Sequence, residues 1–191
     1  MERILQDRRC YQFLEKVDGE RAEATRLGGC ARCGRRLHRA DYDRKPRGGP
    51  ADVLDRWEKR ASFCCEKEGC RKRHTPPSVR FLGRKVYLGV VVVLVAAMMH
   101  GPNGRRVAQL HDALGIDMRT LKRWRQWWRE HFVRTAFWKA RRSRFMPVLD
   151  EAVMPFCLAE VFGADTRTGL FKLMAFLSPI TTDSCQEAVA M

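Results

Sequence analysis

Residues 29–50, GCARCGRRLHRADYDRKPRGGP, and residues 61–70, ASFCCEKEGC, set two cysteine clusters on either side of a basic insert. Cys30 and Cys33 form a C-x2-C-G pair, in which two thiolates share a tight turn and Gly34 supplies the positive-φ freedom that the turn needs. The second cluster offers Cys64, Cys65 and Cys70. Its spacing reads as C-x4-C from Cys65 or C-x5-C from Cys64, and only one of the adjacent pair can easily ligate. We take Cys65 and Cys70, with Cys64 packing inward. A C-x2-C pair facing a second cluster points to metal ligation before a redox dithiol or unrelated core thiols. Four thiolates leave no open coordination position, so the expected cofactor is one structural Zn2+ in a ribbon. Strands are predicted near residues 35–39 and 61–65, and the insert 45–60 reads as a basic loop followed by a short helix. His38 and His74 flank the clusters and could replace one thiolate, but each reads as a surface histidine in a basic context before a ligand.

Around this module the chain is basic. Its 191 residues make room for one ordinary domain or a few small modules, which excludes a large multidomain enzyme. The net charge of +15 makes a polyanion the first partner to consider. That excess sits in two stretches. Residues 30–85 hold 17 basic and 7 acidic side chains, and residues 101–146 hold 12 and 3. Residues 147–191 reverse the sign, with 2 basic against 6 acidic. The N-terminal residues 1–28 have charges spread throughout and no apolar leader core, so they read as an amphipathic helix of a cytoplasmic protein. In a reducing cytosol, cysteines serve metals before disulfides. The apolar run VYLGVVVVLVAAMM, residues 86–99, falls short of the roughly 20 residues that span a bilayer, and no membrane partner is expected. A buried soluble helix is the preferred reading of that run, with a buried strand as the β-branched alternative.

Between the cysteines and that run lies RKRHTPPSVRFLGRK. Its paired prolines forbid a regular helix, so residues 76–85 read as an extended basic linker, and the solvated basic side chains of the whole stretch read as phosphate contacts before a plain charged surface. After the run, Gly101, Pro102 and Gly104 make a loop, and RRVAQLHDAL places Val107, Leu110 and Leu114 on one helical face. The turn Gly115-Ile116-Asp117 leads into MRTLKRWRQWWREHF, capped by Asp117, with Leu121, Trp124 and Trp128 facing inward. Its outer face carries Arg119, Lys122, Arg123, Gln126 and Arg129. A short helix, a glycine-led turn and a capped, Arg-rich second helix make a helix-turn-helix layout over residues 86–146.

The order of these motifs, the cysteine ribbon, RHTPPSVRFLG and LHDALGIDMRTLKRWRQWW, resembles the DNA-binding front end of bacterial insertion-sequence transposases and small transposase-like proteins over residues 25–135. The resemblance implies that ribbon and helix-turn-helix bind double-stranded DNA, with Arg119, Lys122 and Arg123 at base-contacting positions. Arg105, Arg106, Thr120, Arg125 and Arg129, with Lys45 and Arg47 of the insert, are the expected phosphate contacts. Such transposases continue into a ribonuclease-H-like domain far longer than the 45 residues that follow Met146 here. Asp150, Glu151, Glu160, Asp165, Asp183 and Glu187 stand in an acidic, apolar tail, whereas two-metal catalysis needs carboxylates converging on a rigid frame. No enzymatic activity is therefore expected.

That tail, residues 147–191, reads as two amphipathic helices broken at Phe162-Gly163-Ala164. It either covers the core of the apolar helix or forms a surface for a second copy or a catalytic partner. The expected architecture is mainly α with a small zinc ribbon: an N-terminal helix (1–28), the ribbon (29–75), the linker (76–85), the helix-turn-helix bundle (86–146) and the helical tail. The expected function is that of a non-catalytic DNA-binding protein of a mobile element, accessory or regulatory, in a bacterial cytoplasm and on the nucleoid when bound. An RNA-binding ribbon module is the alternative, as is the DNA-binding subunit of a transposase or nuclease whose catalytic chain is separate.

Overall fold

In the computed structural model, which describes residues 7–82, 87–98, 112 and 114–182, the first element is helix α1, Arg8–Gly28. The Asp7 carboxylate caps it by accepting the Arg9 N–H at 3.0 Å. Cys10, Tyr11, Leu14 and Asp18 recur at spacings of three and four and form its buried stripe. The helix stops where Gly29 takes φ 72°, and a Cβ there would stand 3.1 Å from the Gly34 carbonyl oxygen. Glycine therefore lets the helix end abut the cysteine turn.

Five short strands and one helical segment follow: β1 (Leu37–Arg39), β2 (Tyr42–Asp43), α2 (Ala51–Arg56), β3 (Lys59–Arg60), β4 (Phe63–Cys65) and β5 (Arg73–His74). Strands β1, β4 and β5 make an antiparallel sheet in that order, with Leu37 opposite Cys65 and Phe63 opposite His74. Strands β2 and β3 pair separately. The predicted strands and the short helix of the insert are found; β5 and the β2–β3 pair are additional.

Helix α3, Gly89–Met98, is the apolar run, and residues 90–97 are buried all round, the pattern of a central core helix. Among the described residues no helix is long and apolar enough to cross a membrane. Gly89 starts it because a Cβ would lie 2.7 Å from the Met174 methyl and 3.4 Å from the Arg80 carbonyl oxygen. Helix α4, Met118–Gln126, is capped by Asp117, whose side chain accepts the Thr120 N–H at 2.6 Å. Instead of running on as one α-helix, the backbone widens into a π turn at Trp127–His131 and tightens into a 3-10 turn at Phe132–Arg134. The widening and tightening bring Trp128, Phe132, Phe137 and Trp138 into one aromatic cluster, with Trp128 and Phe132 centroids 4.7 Å apart. Helix α5 (Ala136–Lys139) follows, then α6 (Phe156–Val161) and α7 (Arg167–Leu177), broken as expected around Gly163 at φ 61°.

One hydrophobic cluster joins α1, Trp57, Phe81, α3, α4 and the tail, from Cys10 to Ile180. The tail helices thus cover the apolar helix, as one of the two readings of the tail had it. A smaller cluster holds Cys30, Leu37, Phe63 and Cys65. The solvated linker needs correction: Ser78, Val79, Arg80, Phe81 and Leu82 are all buried. The cause is a partner remote in sequence. Asp18 on α1, 3 % exposed, accepts Arg80 Nε at 2.8 Å, the Val79 N–H at 2.7 Å and the Ser78 hydroxyl at 2.5 Å. The Ser78 N–H in turn donates to Thr181 Oγ1 at 2.8 Å, so the segment ties the first helix to the end of the described chain. The loop 101–104, Arg105 and Arg106, the helix read over 105–114 except the helical Asp112 and Leu114, and Asp183 and Glu187 lie outside the described residues.

Candidate metal centre and basic helix face

Cys30 and Cys33 come from the turn after α1, Cys65 from the end of β4, and Cys70 from the turn before β5. Their four sulfurs lie within 4.8 Å of one another. Two of the separations are 3.8 Å (Cys30–Cys70) and 3.4 Å (Cys33–Cys65). A tetrahedron with metal–sulfur bonds of about 2.3 Å has sulfur–sulfur edges of about 3.8 Å, so the donor set fits one four-coordinate ion. The sulfurs stand much farther apart than the roughly 2 Å of a disulfide.

The backbone prepares each half. The Cys33 and Gly34 amides both donate to the Cys30 carbonyl, at 3.2 and 2.7 Å, and Gly34 takes the left-handed φ of 69° that the spacing predicts. In the other half the Cys70 and Arg71 amides donate to the Lys67 carbonyl, at 3.0 and 3.2 Å. Strand alternation chooses between the neighbouring cysteines. Cys65 points to the cluster and is fully buried, while Cys64 points to the opposite face of β4. Cys64 does not pack inward; it is half-buried and directs its thiol to the Arg71 carbonyl at 3.4 Å.

His38 is exposed and faces Glu66 at 3.4 Å. His74 is no surface residue: it is half-buried, and its Nε2 lies 3.3 Å from Cys30 Sγ. Its place beside the second cluster marks it in the sequence as a candidate replacement for a thiolate, and the pairing of β5 with β4 makes the contact. Burial acts to raise the Cys30 thiol, but the Arg32 amide, His74 and Cys33 outweigh it and bring it down to about 6. Burial drives Cys65 in the opposite direction, to about 12. Thiolate is the ligating form, and the hydrogen bonds that Cys30 receives favour it there.

The second candidate site is the outer face of α4. Leu121, Trp124 and Trp128 are buried on its inner side, where Tyr87 meets Trp124 edge-on at 4.9 Å and donates to the Gly115 carbonyl at 3.0 Å. These contacts hold the turn and fix the roll of the helix. Arg119, Lys122 and Arg123 are exposed on the other side, with Gln126 beyond them donating to Glu130 at 2.9 Å. Elsewhere exposed arginines meet carboxylates: Arg8 with Asp52, Arg56 with Glu15, Arg167 with Asp7. Among the described residues no carboxylate pairs with Arg119, Lys122, Arg123, Arg125 or Arg129. Partial burial, and then repulsion from Arg129, lower the Arg125 pKa.

Of the expected phosphate contacts, Arg129, Lys45 and Arg47 are exposed and Arg125 is half-buried. Thr120 is not available: it is 3 % exposed, and its hydroxyl accepts from Arg123 at 3.1 Å inside the cap. No protein-family model, curated protein or solved structure matches the chain.

Proposed function

We propose that this chain is a non-catalytic, double-stranded-DNA-binding protein with one structural Zn2+ held by Cys30, Cys33, Cys65 and Cys70. The observation that carries the reading is the α4 face: exposed cations that make no ion pair with a carboxylate among the described residues, on a helix whose roll is set by buried tryptophans and whose N-terminus is capped. Within the described residues the capping Asp117 carboxylate acts on this face, through Arg123; duplex DNA would supply the remaining counter-charge, and a helix so placed fits the major groove. Zinc closes the two knuckles and performs no chemistry, since four sulfurs leave no site for water. The biological setting follows from the motif order alone: a small transposase-like accessory factor or regulator of a mobile element, working at the bacterial nucleoid.

The test is a comparison of cognate duplex, selected from a random pool, with scrambled duplex. Arginine bridges guanine O6 and N7, so Arg119→Ala or Arg123→Ala should cost about 1–3 kcal/mol on the selected site and little on the scrambled one. Arg129→Ala should weaken both alike and lower the salt slope by about one unit. Equal affinity of wild type and all three variants for both duplexes overturns the reading, and tighter binding of structured RNA than of any duplex replaces it with the RNA-binding alternative.

A further inference from the structure

The two halves of the cysteine cluster end alike in backbone and differently in residue. Cys33 is followed by Gly34 at φ 69°, and Cys70 by Arg71 at φ 42°. In each half the second cysteine and the residue after it turn their amides onto one carbonyl, that of Cys30 or that of Lys67. Glycine adopts this left-handed conformation freely, while a residue with a Cβ is strained in it. Arg71 is the one non-glycine residue with positive φ among the described residues. Nothing that the fold does with the side chain explains why arginine stands there. Arg71 is exposed, and among the described residues its guanidinium makes no hydrogen bond or ion pair.

Its surroundings are basic. Lys67 begins the same knuckle, and Lys72 holds it against β4 by accepting the Cys65 N–H at 3.0 Å. Arg36 crosses from the other knuckle, its carbonyl accepting the Glu66 N–H at 3.1 Å. All of these side chains are exposed. Of the nearby carboxylates, Glu66 is engaged by His38 at 3.4 Å, and Glu68 is exposed on the knuckle itself.

We infer that Arg71 is a phosphate-contacting residue: the second knuckle, which also carries the exposed Lys67 and Lys72, holds an arginine in a glycine conformation so that its guanidinium meets a duplex backbone. The inference rests on the proposed binding of DNA and adds to it a contact at the metal end of the chain.

The test uses the full-length, zinc-loaded protein and a random-sequence duplex, with binding followed by fluorescence anisotropy over a range of salt. Arg71→Gly should keep its metal and melt no lower than wild type, because the backbone is relieved. Its duplex affinity should fall about 8-fold at 0.1 M salt, with a slope shallower by about 0.9. Arg71→Lys, which keeps the charge and the strain, should retain the wild-type slope. The inference is overturned if Arg71→Gly binds as wild type does, if it loses metal or melts lower, or if Arg71→Lys loses as much slope as glycine does. Wild-type protein that binds no duplex removes both this contact and the α4 reading, whereas wild-type binding with an unaffected Arg71→Gly removes this contact alone.

Discussion

Asp18 and Cys65 show how one side chain can hold together parts of the chain that sequence keeps far apart. Asp18 is the buried carboxylate that accepts from Ser78, Val79 and Arg80, and its loss leaves the Arg80 guanidinium buried with no counter-charge. Asp18→Ala should therefore lower the unfolding free energy by about 3–5 kcal/mol in a urea titration, the cost typical of breaking a buried pair from one side. For Cys65 the readout is stoichiometry. Cys65→Ser should abolish tight metal binding, measured by elemental analysis and by the thiolate-to-metal absorbance of the cobalt-substituted protein. Cys64→Ser should keep one ion per chain, since its thiol faces the other side of β4. The reverse pattern would show that the strand register is wrong by one residue.

At the scale of elements, α4 depends on its cap. The Thr120 N–H holds the Asp117 carboxyl below its usual range. A carboxylate lowered in the fold contributes stability above its ordinary pKa and loses it as the pH falls through the lowered value, so the cap should fail below about pH 4. Asp117→Ala should lower the melting temperature by roughly 2–4 °C at neutral pH, and Asp117→Asn should keep the cap while losing its acid sensitivity, both read by calorimetry. Elements written in local pattern were legible in the sequence. Asp117 ahead of a three-four apolar repeat is a helix start, Gly34 after C-x2-C is a left-handed turn, and an apolar run too short for a bilayer is a core helix. Elements made by distant partners were not. Arg80 reads as solvated because Asp18, 62 positions away, is invisible to any window. Strand β5 has two residues and exists only because β4 is beside it. The π turn interrupts a repeat that otherwise continues, because aromatic packing of Trp128 and Phe132 overrides the 3.6-residue period. In the candidate metal site, spacing narrowed five cysteines to four, while strand alternation was needed to decide between neighbours and to bring His74 to Cys30.

At the scale of the whole molecule, cysteine cluster and main core share continuous chain on both sides. Helix α1 runs from Cys10 and Leu14 in the core to Ala22, which packs on the cysteine cluster, and the chain leaves β5 straight into Ser78–Leu82. Removal of the metal should therefore be felt beyond the knuckles: a chelator should shift the whole thermal transition downward as one step, followed by far-ultraviolet dichroism and tryptophan fluorescence together. Two separated transitions would mean that the ribbon unfolds independently of the core. The length of α4 has a further consequence, in information rather than energy. Nine helical residues precede the π turn, a length of about 13 Å at 1.5 Å per residue, which covers about four base pairs of a groove rising 3.4 Å per pair. Four base pairs recur by chance about once in 250, so if α4 reads duplex DNA as proposed, one chain would name a very common word, and a unique address would have to be spelled by two copies side by side or by the flexibility of the DNA between their contacts.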